Sequence, residues 1–170
     1  KLTPVESKYQ TIINWKISSV DFFEELISKD IHGNIFHIFR HNSNKKKIKI
    51  ESSGLIEVLD NNGIYGEHDN NIPLELYKNE TELTYFGPKI RHFARNFKNN
   101  LISSKNNKSI NLLHKLSFYI KKNISYTKNV TEINTSAEES LTLKKGVCQD
   151  HVHIFIAISR FLGFSARYVS

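Results

Sequence analysis

The sequence holds one cysteine, no methionine and only three prolines among its 170 residues. A single cysteine excludes an internal disulfide and favours a reducing compartment, so a cytoplasmic protein is predicted. Without a methionine, Lys1 is not a natural start, and the strand-like run at Ser170 has no terminator after it. Both ends therefore indicate a piece of a longer chain. No run approaches the roughly 18 apolar residues of a membrane helix, so no membrane association is predicted.

Acidic residues are absent from Leu83 to Thr131, where ten lysines and arginines occur in a chain of net charge +7. This basic segment, residues 83–131, predicts a positive face suited to an anionic partner. A solvated helical surface in a lysine-rich protein is the alternative. Nucleic acid is not favoured as the partner, because aromatic and basic residues are not interleaved and no nucleic-acid motif is present.

Residues 1–86 are predicted to form an antiparallel β domain, packed as a small sheet or sandwich. Apolar and β-branched runs alternate with Gly, Asn and Asp turn clusters, which is the pattern of short strands. Residues 21–28 have helical spacing and are expected to form a brief helix or a turn. Ser52-Ser53-Gly54 is expected to break or bulge a strand, and residues 63–84 to form loops. The predicted strands are residues 10–17, 35–39, 45–50 and 55–59.

Residues 87–170 are predicted to be mainly helical, which makes the whole chain α+β. Two overlapping capping boxes, Thr135 with Glu138 and Ser136 with Glu139, open a short helix. Gly146 is expected to end that helix in the left-handed conformation. An almost wholly apolar helix begins near Cys148 and ends at Gly163, followed by a strand from Ser165 to Val169. The other predicted helices are residues 89–97 and 109–123.

Cys148 lies at the predicted start of the buried helix, and this position favours a nucleophile. Unpaired N–H groups and the positive end of the helix dipole stabilise a thiolate. The alternative is a small core residue without a chemical role. The nearby His151 and His153 do not lie squarely above the thiol, and their spacing faces them apart on a helix, so neither a local base nor a metal site is predicted. The remaining candidates, His92 and His114, are expected on helix surfaces.

Three segments together resemble the nucleophile region of bacterial transglutaminase-like proteins: residues 136–141, residues 145–153 with the motif Gly-Val-Cys-Gln-Asp, and the tail 160–170. Residues 1–86, including the turn at Asp30 to Asn34, are similar in a looser way to the β-rich region that accompanies this domain in bacteria.

The resemblance implies a papain-like fold in residues 87–170 with Cys148 as nucleophile. Gln149 is then expected to line the site, and Asp150 and His153 to be structural. The family's catalytic His and Asp lie on strands after the Tyr-Val-Ser segment, beyond Ser170. The 170 residues alone are therefore expected to lack activity, and their open sheet edge could self-associate.

The implied chemistry is cleavage of a peptide or carboxamide bond through a Cys148 thioester, by hydrolysis or by transfer to an amine. The partner is then a peptide or protein substrate, and no cofactor or metal is needed. The alternative from another class is a non-catalytic transglutaminase-like module that binds through the basic segment 83–131.

Overall fold

The computed structural model describes residues 3–19, 22–41, 49–62, 72–99 and 109–169. The chain divides into two compact units, residues 1–72 and residues 73–170, and each is described by itself. Within the described ranges, no helix combines the length and the apolar character that crossing a bilayer requires.

The first unit consists of two antiparallel two-stranded ladders nested along the chain. β1 pairs with β4 and β2 pairs with β3, so in the sequence the β2–β3 hairpin falls between the two strands of the β1–β4 pair. This confirms an amino-terminal antiparallel β architecture. The strands are β1 (Gln10–Ser18), β2 (Phe22–Lys29), β3 (Ile35–His41) and β4 (Glu51–Val58).

The turn between β2 and β3 is built by Asp30. Its Oδ1 accepts the backbone N–H groups of His32 and Asn34, both at 2.8 Å. The Asn34 side chain also donates to this carboxylate, and these hydrogen bonds lower the pKa of Asp30. Gly33 has φ 74°, a left-handed conformation that suits glycine.

Several strand-level expectations for the first unit were wrong. Residues 22–28 lie in β2 and form neither the expected brief helix nor a turn, because the cross-strand pairing of β2 with β3 overrides their helical spacing, while Asp21 lies outside the described residues. Ser52-Ser53-Gly54 lies within β4, and the irregularity falls on β1, between Ile12 and Asn14. In the described residues these strands form two two-stranded ladders rather than one small sheet, and their packing as a sandwich stays a prediction. Most of the predicted strand 45–50 lies outside the described residues.

The second unit is a helical body with a short parallel β pair, β5 (Ser125–Tyr126) with β6 (Lys145–Gly146). Two 3₁₀ turns, Leu74–Lys78 and Glu82–Thr84, precede the helices. The helices agree closely with the sequence prediction because each has a strong start signal and a regular apolar stripe. They are α1 (Pro88–Asn99), α2 (Ser109–Asn123), α3 (Ala137–Leu143) and α4 (Cys148–Phe161).

α4 is the central element of this unit and contacts each of the other three helices. The hydrophobic core of this unit takes fully buried side chains from all four helices: Ile90 of α1, Leu116 of α2, Ala137 of α3, and Ile154 and Ile158 of α4. Full burial of one large aliphatic side chain stabilises a fold by about 1.5–3 kcal/mol, so this core holds α4 among the other helices.

Glu138, on α3, closes the amino-terminal end of α1. Its carboxylate accepts the backbone N–H groups of Lys89 at 2.7 Å and Ile90 at 2.9 Å. These are donors that a helix cannot satisfy internally, and a negative charge suits that end of the helix dipole. A Cβ on Gly87 would lie 2.3 Å from the Glu138 carboxyl carbon, so the close approach needs glycine there.

The capping box Ser136–Glu139 is present as predicted, and its hydrogen bonds lower the pKa of Glu139. The end of α3 differs from the prediction. Lys144, with φ 53°, takes the left-handed position assigned to Gly146, because Gly146 pairs in β6.

The segment after α4 is not a strand, contrary to expectation. Instead, the buried Arg160 donates from Nε and Nη2 to the Ala166 carbonyl at 2.9 and 2.8 Å. Its Nη1 donates to Thr84 Oγ1 at 2.8 Å, and burial lowers the pKa of Arg160. The segment after α4 is therefore held by the Arg160 side chain rather than by strand pairing.

The two compact units divide at residue 72, because the 3₁₀ turns that follow pack against α4. The domain boundary expected near Gly87 stays a prediction.

Candidate active site

Cys148 is the first residue of α4, and its side chain is exposed to solvent. The preceding Val147 is the N-cap, with the extended backbone angles φ −103° and ψ −174°. The N–H groups of the first helical turn have no partner within the helix and meet a partial positive charge. The structure therefore places an accessible thiol at the end of the helix that stabilises negative charge.

Asp150 holds the turn in front of the thiol. Its Oδ2 accepts the Val147 backbone N–H at 2.6 Å and the Thr131 hydroxyl at 2.7 Å. Its Oδ1 accepts the Ser140 hydroxyl at 2.9 Å. Asp150 is only 2% exposed, and a buried carboxylate needs hydrogen-bond donors. The Val147 N–H and the two hydroxyl groups supply them. One side chain thus joins a loop, α3 and the start of α4.

Gly146 permits this arrangement by its lack of a side chain. A Cβ there would lie 2.6 Å from both the Asp150 Cβ and Oδ2. β5 fixes the same turn from the other side, since Ser125 N–H donates to the Lys144 carbonyl at 2.9 Å and Thr127 N–H to the Gly146 carbonyl at 2.8 Å. The chain leading to Cys148 is therefore held along its backbone.

The Gln149 side-chain amide donates to the Ile133 carbonyl at 3.1 Å. The residue joins the 131–135 loop to the start of α4 and is partly exposed. A role in lining the site stays a prediction.

His153 is buried, with 6% of its surface exposed, and its ring lies edge-on to Tyr168 at 5.9 Å between centroids. Burial lowers its pKa, and a hydrogen bond with the Thr135 backbone acts in the opposite direction. Its Nδ1 has no hydrogen-bond partner in the described part of the chain. The ring is therefore packed into the interior of the unit, and the structural role expected for it stays a prediction.

No hydrogen bond joins Cys148 to a histidine within the described ranges. His92 and His114 lie exposed on α1 and α2, as expected for surface residues. His151 contacts two backbone carbonyls instead of the thiol. The described residues therefore supply an exposed thiol and a supported turn before it, and no histidine that could act as a base is bonded to that thiol within the described ranges.

The supporting residues Thr131 and Ser140 were missed from the sequence. They lie far from Asp150 along the chain, and no spacing rule connects hydroxyls on a loop and on another helix with a carboxylate. The predicted capping box of Thr135 with Glu138 at the start of α3 was wrong, because Ser136 is the N-cap of α3 and the Glu138 carboxylate caps α1 instead.

Comparison with known proteins gives one family and one fold. Residues 95–170 match the profile of the transglutaminase-like superfamily. No curated protein is significantly similar to the chain. Among solved structures, the chain is similar to a candidate cysteine protease from Cytophaga hutchinsonii, with a TM-score of 0.69 and 14% identity over 92% of this chain and 54% of that protein. This chain thus spans about half the length of that protein.

At that identity the structural likeness shows a shared fold, which agrees with the α+β architecture expected from the sequence. The family match covers α2, α3 and α4 together with the motif around Cys148. Residues 95–170, which include Cys148, are therefore similar to the transglutaminase-like superfamily.

Proposed function

We propose that this protein is a thiol enzyme that cleaves peptide or carboxamide bonds, with Cys148 as its nucleophile. The observation that carries the proposal is the exposed thiol at the first residue of a central buried helix, behind a turn fixed by Asp150. A small core cysteine would be covered, and its preceding turn would need no such support. The family match supports the same assignment.

The reaction has two steps. The Cys148 sulfur attacks the carbonyl carbon, the C–N bond breaks, and the amine or ammonia leaves with a proton. Water or a second amine then attacks the thioester, which releases an acid or a new amide and restores the thiol. Backbone N–H groups at the start of α4, including that of Cys148, stabilise the negative oxygen of each tetrahedral intermediate.

The general base and the acid that orients it are proposed to come from protein outside these 170 residues. Support comes from the lack of a histidine bonded to Cys148 in the described ranges. The solved structure that is similar to this chain gives further support, because the chain covers only 54% of it and the remaining part leaves room for both residues. The 170 residues alone are then expected to react far more slowly than the full-length protein.

The test uses full-length protein with a glutaminyl peptide, a simple primary amine, and Cys148→Ala as the inactive variant. Ammonia release without amine incorporation supports an amidase, incorporation supports acyl transfer, and backbone cleavage supports a peptidase. Equal rates for wild type and Cys148→Ala in all three assays would reject the enzyme.

A second candidate function is binding through the basic segment 83–131. The observation that favours it is a depression of about 550 Å³, lined by Phe86, Pro88, Arg91, His92 and Arg95 on a helix without acidic residues. Its partner would be an acidic peptide. Loss of poly-glutamate binding in an Arg91→Glu, Arg95→Glu variant supports it, if Lys121→Glu, Lys122→Glu still binds. Equal binding by both variants contradicts it.

A further inference from the structure

Three exposed lysines, which we call the lysine rim, border the chain that leads into Cys148. Lys144 and Lys145 precede the thiol by four and three residues, and Lys128 lies just beyond β5, the strand that pairs with β6. None of the three is in an ion pair within the described ranges. Their charges are therefore available to groups that approach the thiol from solvent.

The backbone holds this rim close to the thiol. Neighbouring strands lie about 4.8 Å apart, which brings the end of β5 next to β6. Three residues of extended chain span at most about 11 Å, so the Cα atoms of Lys145 and Cys148 are no farther apart than that. The Debye length is about 8 Å at physiological ionic strength and about 30 Å at about 0.01 M, so a carboxylate near the thiol interacts with the rim, most strongly in dilute salt.

Lys144 occupies a position where the fold by itself favours glycine. It has the left-handed angles φ 53° and ψ 26° at the end of α3, and a residue without a Cβ is the usual choice there. Its N–H donates to the Leu141 carbonyl at 3.3 Å, and its carbonyl accepts the Ser125 N–H at 2.9 Å. The alternative to a functional side chain is a cation that complements the dipole at the end of α3.

The exposed carboxylates around Cys148 are placed elsewhere. Glu132 and Glu139 line a depression of about 510 Å³ beside α3, and the Glu139 carboxylate is bonded to Ser136. The Asp150 carboxylate is buried and directed to its three donors. Exposed positive charge is thus gathered along β5 and β6, and exposed negative charge along the loop 131–135 and the start of α3.

We propose that the Cys148 site selects acidic peptide segments, in which a carboxamide or peptide bond is flanked by acidic side chains that lie along the lysine rim. The proposal rests on the proposed function and names the substrate class of that site. Val152, one turn along α4 from the thiol, and Tyr126, opposite Gly146 in β6, are exposed and supply apolar surface for the rest of such a peptide.

The first arm of the test uses the 170-residue chain, in which Cys148 is the only thiol. Iodoacetate, an anion, and iodoacetamide, its neutral analogue, alkylate the folded chain in separate reactions, and the ratio of the two rates is measured. The thiolate fraction cancels in this ratio because both reagents meet the same thiol. What remains is the effect of the local charge on an approaching carboxylate.

Lys144→Gly with Lys145→Gln removes two charges of the rim and gives the left-handed position the residue that suits it. The rate ratio of iodoacetate to iodoacetamide should fall about two- to fourfold at an ionic strength of about 0.01 M, and the difference from wild type should vanish at about 1 M. An unchanged ratio would overturn the proposal. So would a loss of stability in urea with an unchanged ratio, which is the result expected if Lys144 serves only the end of α3.

Arg95→Gln with Lys98→Gln is the control with the same change of charge. These two exposed side chains line a depression with Phe161, at the far end of α4 and about 20 Å from Cys148 by the helical rise. The control should leave the ratio of the two alkylation rates unchanged. An equal fall in both double variants would show a general effect of net charge and would overturn the proposal.

The second arm compares kcat/KM of full-length protein for two glutaminyl peptides that differ only in flanking residues, glutamate in one and lysine in the other. Wild type should favour the acidic peptide about three- to tenfold in dilute salt. Lys144→Glu with Lys145→Glu should lose this preference. Equal kcat/KM values in wild type, or a preference that the charge reversal leaves intact, would overturn the proposal.

The two arms separate the failures. Full-length protein whose turnover of both peptides is the same in wild type and Cys148→Ala would reject the proposed function. The alkylation ratio does not depend on turnover, so it would still decide whether the lysine rim attracts carboxylates to the thiol.

Discussion

The Asp150 carboxylate accepts the backbone N–H of Val147 at 2.6 Å, one residue before Cys148. The carboxylate is 2% exposed and has hydroxyl donors from Thr131 and Ser140 on its remaining sides. The turn that presents Cys148 is therefore set from the interior of the unit, and the solvent-facing thiol depends on a buried group.

Asp150→Asn tests this dependence. The amide has the shape of the carboxylate, but its NH₂ group cannot accept the hydrogen bonds that a carboxylate oxygen of Asp150 accepts. Leaving a buried donor unsatisfied costs about 1–3 kcal/mol, so the free energy of unfolding in urea should fall by that amount. The measurement is helical circular dichroism. Glu75→Gln, at an exposed pair with Lys78, should lose less than about 1 kcal/mol. An equal loss in the two variants would argue against the network.

Gly146→Ala should weaken the same turn by crowding it. The new Cβ would lie 2.6 Å from Asp150, so the side chain must move and its bonds to Val147 and Thr131 lengthen. We expect a loss of about 1–3 kcal/mol, as for overpacking, together with slower alkylation of the folded thiol by iodoacetamide. Gly163→Ala is the contrast. Gly163 has φ 92° with open space around it, so strain alone should lower stability and leave alkylation unchanged.

Glu138→Gln should loosen α1 without touching the thiol. The carboxylate bonds both Lys89 N–H and Ile90 N–H, and an amide offers only one acceptor atom. The expected loss is about 1–2 kcal/mol in urea unfolding, with faster hydrogen exchange at those two amides. Unchanged exchange at Lys89 and Ile90 would show that Glu138 does not cap α1.

The helical unit was largely predictable from the sequence because its signals are local. Pro88 at a first helical position, Ser109 as a start and the Ser136–Glu139 box each fix a helix within a few residues. The failures have non-local causes. The apolar residues of β2 have helical spacing, and the segment is a strand only because it pairs with β3 across a turn. Lys144 rather than Gly146 has the left-handed conformation at the end of α3, because Gly146 pairs with Tyr126 in the short β5–β6 pair.

The candidate site was predictable only in part. The motif around Cys148 correctly indicated the start of α4, while the nucleophile role of Cys148 and the structural roles of Asp150 and His153 stay predictions. What the sequence could not indicate is what these residues touch. Thr131 and Ser140 reach Asp150 only through the packing of a loop and of α3 against α4. Likewise, Ile124 meets His151 only because α2 ends beside the start of α4.

Stability should fall as the pH drops through the range in which histidine titrates, because of His153. Burial lowers its folded-state pKa, so the unfolded chain, with an ordinary value of about 6.5, binds a proton that the folded chain does not. This contribution is full above that value and is lost below it, with a slope of at most about 1.4 kcal/mol per pH unit. Between about pH 7.5 and about pH 5.5, His153→Gln should show a shallower slope than wild type. Parallel curves would contradict the assignment.

The most direct test of the account is chemical trapping of a thioester on Cys148. Full-length protein is incubated with a glutaminyl peptide and hydroxylamine, and the peptide is examined by mass spectrometry. We expect a hydroxamate in place of the carboxamide, formed by wild type and absent with Cys148→Ala. We also expect an acyl adduct on the peptide that contains Cys148 after a rapid acid quench. Hydroxamate formation that survives Cys148→Ala, or active protein that never carries an acyl group on Cys148, would contradict it.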